Sequence, residues 1–325
     1  MPDQHKIICL WPVCLVIVVL GGVFMPAFGQ EGSRPSPRYS PSLPNSASIA
    51  PVYLDLSIEP LKHAVPALKG ISIDSNDSSQ HQLDTILAGV AKSIATALPR
   101  VPNLISREDV YHFQTARDPS AAGGQANAQP WSREFRYLIL SHHEPNGEVW
   151  IEENRADSKG HPIDPTGPVT APRGLGFAYQ WLLFSAANQS EFRFRYLGQQ
   201  TKDGRKTYVL AFAQDPGKVS TPANFQSGDK VAHFFFQGVL WVDQSTFEIV
   251  LLRTSLLAPV PSVNLRELTT ELHFSAVRIH GAEEPLWLPH EVDISSDEGA
   301  GPAEENHRYS DYHLFTATSR LLPAQ

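Results

Sequence analysis

Residues 267–276 read Glu267-Leu268-Thr269-Thr270-Glu271-Leu272-His273-Phe274-Ser275-Ala276. Leu268, Leu272, Phe274 and Ala276 share one parity, and Glu267, Thr269, Glu271 and His273 share the other. Successive strand side chains point to opposite faces, so this period of two predicts a strand with one dry face and one wet one. Residues 231–242 differ. There His233-Phe234-Phe235-Phe236 and Leu240-Trp241-Val242 put bulk on both parities, which predicts a strand covered on both sides.

Further segments rich in aromatic and β-branched residues flank these two: 135–140, 148–152, 191–196, 206–212, 248–256, 286–294 and 307–318, with the 267–276 strand extending over 265–279. Asn146-Gly147, Asp203-Gly204 and His280-Gly281 between them tolerate left-handed backbone and suit tight connections. An antiparallel meander is the simplest topology. One helix precedes it: Leu83, Ile86, Leu87, Val90, Ala91, Ile94, Ala97 and Leu98 recur at helical spacing and form one apolar stripe. Ser79 with Gln82 resembles a capping box, and Pro99 stops the helix. A stripe of this kind must be buried, and in a β-rich chain it lies across a sheet or in the mouth of a half-open barrel. The fold expected is mainly β, a curved antiparallel sheet or half-open β-barrel with an N-terminal amphipathic helix packed against it.

Four stretches follow along the chain. Residues 1–29 read as an export signal: Lys6 precedes a charge-free run from Ile7 to Met25, and Ala27-Phe28-Gly29 offers the small residues of a cleavage site before Gln30. The alternative is a retained anchor, since the run is about long enough to span a bilayer. Residues 30–52 are a Pro/Ser-rich linker with too little apolar surface to offset the entropy of ordering. Residues 53–82, broken by Pro60, Pro66 and Gly70, form an arm or edge strand, and residues 83–322 form the β domain. Inside it, residues 156–176 are a Pro- and Gly-rich stretch that reads equally as a lid or binding loop and as a disordered surface excursion. Phe177 to Phe184 then fit a short helix.

Composition narrows the function. Both cysteines, Cys9 and Cys14, fall in the signal run, so disulfides, zinc–cysteine sites and cysteine nucleophiles are excluded together in the mature chain. A net charge of −8 with scattered Lys and Arg argues against nucleic acid as partner. Membrane contact is expected only through the signal segment or transiently.

Several stretches have a family look: Leu98 to Phe113, Glu191 to Gly217, Gln237 to Leu252, Leu286 to Ile294 and Tyr309 to Phe315, and above all Gly238-x-Leu240-Trp241-Val242-Asp243 followed later by Trp287-Leu288-Pro289. In their order the chain resembles the LolA-like superfamily of unclosed β-barrels, typified by periplasmic lipoprotein carriers. The resemblance spans roughly residues 83–322. It implies a curved sheet around an apolar concavity that binds acyl chains or other greasy ligands, with the helix closing one side. This chain is longer than the classical carrier, with an extra arm and linker, and has no residue matching that carrier's lid latch. Phe234, Phe236, Trp241 and Phe274 are the candidates to line the cavity; the same aromatics serve equally as ordinary core.

No catalytic motif is found: there is no Gly-x-Ser-x-Gly elbow, no His-Glu-x-x-His and no P-loop. Glu271 with His273, and Asp311 with His313, have a spacing that can ligate a metal, but they also form the polar face of alternating strands. His142-His143-Glu144 reads as a turn rim, and Asp293 with Glu298 as exposed acids rather than a hydrolytic pair. No metal or cofactor is expected. Three classes remain in order: a non-enzymatic envelope protein carrying an apolar ligand, an envelope structural or interaction module, and a hydrolase with an unrecognised site.

Overall fold

The computed structural model describes residues 17–19, 52–73, 79–117, 125–126, 130–145, 149–163, 180–220, 222–227, 230–298 and 301–315. Most of the expected signal, the whole linker and most of the 156–176 excursion, including Gly174-Leu175-Gly176, lie outside these residues, as does the Asn146-Gly147 turn.

Ten strands make one sheet. In chain order they are β1 (Leu104–Gln114), β2 (Trp131–His143), β3 (Val149–Ala156), β4 (Phe192–Lys202), β5 (Arg205–Gln214), β6 (Phe236–Asp243), β7 (Ile249–Leu256), β8 (Glu267–Val277), β9 (Leu286–Asp297) and β10 (Pro302–Leu314). Across the sheet they run β3-β2-β1-β10-β9-β8-β7-β6-β5-β4, every pair antiparallel. Every pair joins chain neighbours except β1 with β10, which ties the first strand to the last from Gln114↔Ala303 to Leu104↔Leu314. The meander therefore almost closes on itself. Its open seam lies between β3 and β4, the two edge strands, which are consecutive in the chain. The sheet is a half-open barrel with an N-terminal helix against it, as the pattern predicts.

Helix α2 (Ser79–Ala97; the seven-residue helix α1, Ile58–Ala64, precedes it) forms where the apolar stripe requires it and gives way at Pro99 to a 3-10 turn, Leu98–Arg100. The Ser79 cap falls on a side chain outside the described residues. Leu83, Ile86, Val90, Ile94 and Leu98 are buried in one cluster with Leu104, Ile139, Phe212, Leu240, Leu272 and Val292 from strands around the sheet. That cluster defines the inner face, and α2 is its roof.

The outer face carries a second cluster. Tyr53, Leu61, Val65, Leu68 and Ile71 of the arm cover Leu197, Val209, Ala211, Val239, Trp241 and Leu251. Each fully buried leucine or valine here contributes about 1.5–3 kcal/mol relative to exposure. Sheet side chains satisfy the arm's backbone: Gln237 Oε1 accepts from Tyr53 N, Arg195 Nη1 donates to the carbonyls of Leu54 and Leu56, and Gln200 Nε2 donates to those of Ala67 and Lys69. The arm ends by pairing Ser72 with Gln199 of edge strand β4, so it is both an ordered arm and a short edge partner.

Three expectations are corrected. Residues 231–242 are two strands, Lys230–Phe234 and β6, parted at Phe235. Only β6 is covered on both faces, because the arm lies over β6 while Lys230–Phe234 pairs with Ala223–Ser227 in an outlying sheet and leaves Val231 exposed. That outlying sheet also takes Ile17–Val19 as a parallel strand. Alternation in β8 holds through Phe274 and then lapses: the register shifts between His273 and Phe274, and Ala276 ends exposed. Residues 104–114, not counted among the strands, form β1, the strand that closes the ring onto β10. Phe177 to Phe184 contain a 3-10 turn, Gln180–Phe184, in the described part.

Candidate functional site

The inner face divides into an apolar floor and a charged end. On the apolar side Phe184 of the 3-10 turn is fully buried, and its ring meets Phe192 at 5.6 Å and Phe212 edge-on at 5.0 Å. Gln189 Nε2 donates to the carbonyls of Leu87 and Phe184, both at 2.9 Å, so one side chain ties the roof helix to that turn. A second tie comes from the β6–β7 turn. Asp243 Oδ1 accepts from Ser245 N and Thr246 N at 2.8 and 3.0 Å, and Oδ2 from Arg205 Nη1 at 3.0 Å. Burial would raise this carboxyl; the Ser245, Thr246 and Arg205 donors outweigh it and hold it at about 2. The turn so fixed presents Phe247, at φ 58°, to the backbone of Gly89 in mid-helix. A bulky residue in the left-handed region is strained, and glycine is the residue that leaves room for its ring.

Of the aromatic candidates, Phe234, Phe236 and Phe274 are buried in this inner cluster, and Phe236 joins the phenylalanine group through Phe192 at 6.0 Å. Trp241 does not share their face. Odd parity on β6 turns it outward beneath the arm, where its Nε1 donates to Gln200 Oε1 at 2.8 Å.

The charged end is built by β1, β3 and β10. On β1 the inward parity carries Leu104, Ser106, Glu108, Val110 and His112, all buried. On β10 it carries Glu305, His307 and Tyr309, and on β3 it carries Arg155. These side chains form a chain of contacts. Arg155 grips Glu108 with two donors, Nε at 2.5 Å and Nη2 at 2.8 Å. His307 lies between two acids, Nδ1 at 2.9 Å from Glu108 and Nε2 at 3.2 Å from Glu305. His112 Nδ1 is 3.0 Å from the other oxygen of Glu305, and its ring stacks on Trp131 at 5.0 Å.

Hydrogen-bond chemistry assigns the charges. An ionised carboxylate only accepts, so a ring set between two acids is favoured in the imidazolium form, which donates through both nitrogens. Burial alone would lower the His307 pKa, yet the hydrogen bonds to Glu108 and Glu305 raise it. Burial alone would raise Glu108, yet the Arg155 charge and the His307 and Arg155 hydrogen bonds bring it down to about 2. Two acidic side chains thus lie against one guanidinium and one imidazole ring. An acid held ionised with its oxygens already occupied is poorly placed as a general base.

Tyr309 stands where this chain meets the apolar cluster. It is 6% exposed, and its ring lies 5.0 Å from that of Tyr137. Its neighbours Tyr137 and Tyr312 donate to Glu153 Oε1 and to the Pro289 carbonyl. The Tyr309 hydroxyl finds no hydrogen-bond partner among the described residues. Burial first, then the charge of Glu108, pushes its phenol well above the ordinary range.

The metal candidates point elsewhere. Glu271 and His273 face outward, where Arg253 pairs with Glu271; Asp311 and His313 are exposed at the end of β10. His142 stacks on Trp150 at 3.7 Å on the β2–β3 rim, and Asp293 accepts from Asn306 Nδ2 at 2.7 Å. Among the described residues no three His, Cys, Asp or Glu side chains converge as a metal site. Sequence reading missed Glu108, Arg155, Glu305 and His307. Their signal is a charged residue on the dry parity of an alternating strand.

No family model and no curated protein matches the chain. Among solved structures it is similar to a protein domain of the outer membrane lipoprotein-sorting type from Vibrio parahaemolyticus, at 13% identity and a TM-score of 0.38 over 73% of this chain and 94% of that one. A DUF1329 family protein from Desulfovibrio piger is similar at 9% identity and 0.38, again over 73% and 94%. Lipoprotein LppX from Mycobacterium tuberculosis is similar at 9% and 0.25, over 73% and 99%.

Proposed function

We propose that the chain is an exported, non-enzymatic binding protein of the cell envelope that takes an apolar ligand, a lipid or an acyl chain, against the inner face of its half-open barrel. One observation carries the reading. The apolar part of the inner face is one cluster whose roof, α2, is held by side-chain contacts and lies against β4, beside the seam where β3 and β4 do not pair. A helix held in this way can shift without breaking the sheet's hydrogen bonds, and admission of a greasy ligand between roof and floor requires such a shift. The charged end fits the same reading, since its acids are engaged by Arg155 and His307 and are not set up as a general base.

Native mass spectrometry of the mature chain, followed by solvent extraction and lipid analysis, tests this. A stoichiometric apolar passenger is the expected result. A clean apo mass together with failure to take up fluorescent fatty acids would overturn it. That outcome would favour an envelope interaction module, for which the edge strand β3, with its exposed Trp150, is the natural contact.

A further inference from the structure

We infer that the region around Tyr309 is a head-group subsite and that it selects a neutral hydrogen-bond acceptor, such as the ester carbonyl of an acyl ester, over a charged head group. The inference rests on the binding reading above and names the class of ligand.

Two independent observations lead to it. First, the Tyr309 hydroxyl is buried at the border of the apolar cluster and the charged chain, with no partner among the described residues. A buried donor without an acceptor is costly, and an oxygen placed against it would satisfy it. Secondly, the cations beside it are already used. Arg155 is committed to Glu108 through two nitrogens, and His307 to Glu108 and Glu305 through both of its own. A carboxylate or phosphate arriving here would lose its water without gaining a free cation, next to two buried carboxylates. A neutral carbonyl meets no such penalty: it accepts from the tyrosine and leaves the balance of charges as it was. A phenol whose pKa is pushed upward keeps its proton, and so remains a donor, across the working pH range.

The test is isothermal titration calorimetry of the mature chain at pH 7 with monoolein, a neutral acyl ester, and with oleate, the carboxylate of the same chain, for the wild type and Tyr309→Phe. The wild type is expected to bind monoolein more tightly than oleate. Tyr309→Phe is expected to weaken monoolein about fivefold, the yield of one hydrogen bond, and to leave oleate unchanged. The urea midpoint of Tyr309→Phe should equal or slightly exceed that of the wild type, because the hydroxyl has no partner to lose among the described residues. Equal affinity for the two probes, discrimination that survives Tyr309→Phe, or a lowered midpoint would each overturn the subsite while leaving a lipid-binding protein. Uptake of neither probe by the wild type would overturn the binding reading itself.

Discussion

Glu108 is the residue on which the charged end turns. It is fully buried and accepts from both Arg155 and His307, so its ionised form is stabilised far more in the folded chain than in the unfolded one. With the folded value near 2 and an ordinary value of 4.5, its contribution is complete above pH 4.5 and is lost as pH falls toward 2. His307 works in the opposite sense. Its pKa is raised, so its contribution is complete below the ordinary 6.5 and is lost as pH rises through the folded value. Urea midpoints between pH 3 and pH 9 should therefore fall on both sides of a maximum. Glu108→Gln should remove the acid limb and lower stability by about 3–5 kcal/mol at neutral pH, because Arg155 is left buried and unpaired. His307→Gln should flatten the alkaline limb. Part of this was open to sequence reading, for Leu104, Ser106, Glu108, Val110 and His112 alternate like any half-buried strand. What could not be read is that the dry parity of β1 faces that of β3 and β10. Arg155 meets Glu108 across β2, and His307 and Glu305 meet the side chains of β1 through the ring-closing β1–β10 register.

At the scale of elements, the contact between α2 and the β6–β7 turn reverses a familiar rule. Glycine inside a helix costs about 0.5–1 kcal/mol relative to alanine, so Gly89→Ala would ordinarily stabilise. Here a Cβ would come within 2.4 Å of Cδ1 of Phe247. Either the ring or the helix must move, and Gly89→Ala should instead destabilise by about 1–3 kcal/mol. Phe247→Asn removes the ring from a left-handed position that asparagine tolerates, so the double variant should recover the alanine gain. A double-mutant cycle of urea midpoints measures that coupling, and simple additivity would show that ring and helix are independent. The helix was legible because its stripe is periodic, and the turn because Asp243 ends a strongly apolar strand. Their meeting was not, since no local pattern couples residue 89 to residue 247.

At the scale of the whole molecule, the outer cluster explains why so much of the central sheet reads as core. Strands β5 and β6 are buried along almost their entire length, and a sequence reader meeting Val209, Val239 and Trp241 cannot tell an inner wall from a covered outer one. The arm decides it by lying over that wall from Tyr53 to Ile71 and pinning its end at Ser72. Its pinning depends on Gly198, which sits at φ 138° and whose Cβ would come within 2.2 Å of the Ser72 carbonyl oxygen. Gly198→Ala should therefore free the arm's end while the barrel persists, seen as faster proteolysis between Leu68 and Ile73 with little change in the far-UV circular dichroism. Leu61→Ala reaches the same element from its middle. It leaves a cavity under a fully buried side chain and should cost about 2–5 kcal/mol if arm and barrel unfold together, but less if the arm simply lifts. Hydrogen exchange separates the two outcomes. Protection lost in Val52 to Ile73 alone marks the arm as an independently opening unit, whereas loss shared with β5 and β6 makes it part of one cooperative fold. In the first case a chain lacking residues 30–73 should fold and then associate through its bared outer wall, visible as concentration-dependent sedimentation. In the second it should not fold, and the covered wall is then as necessary to the barrel as the roofed one.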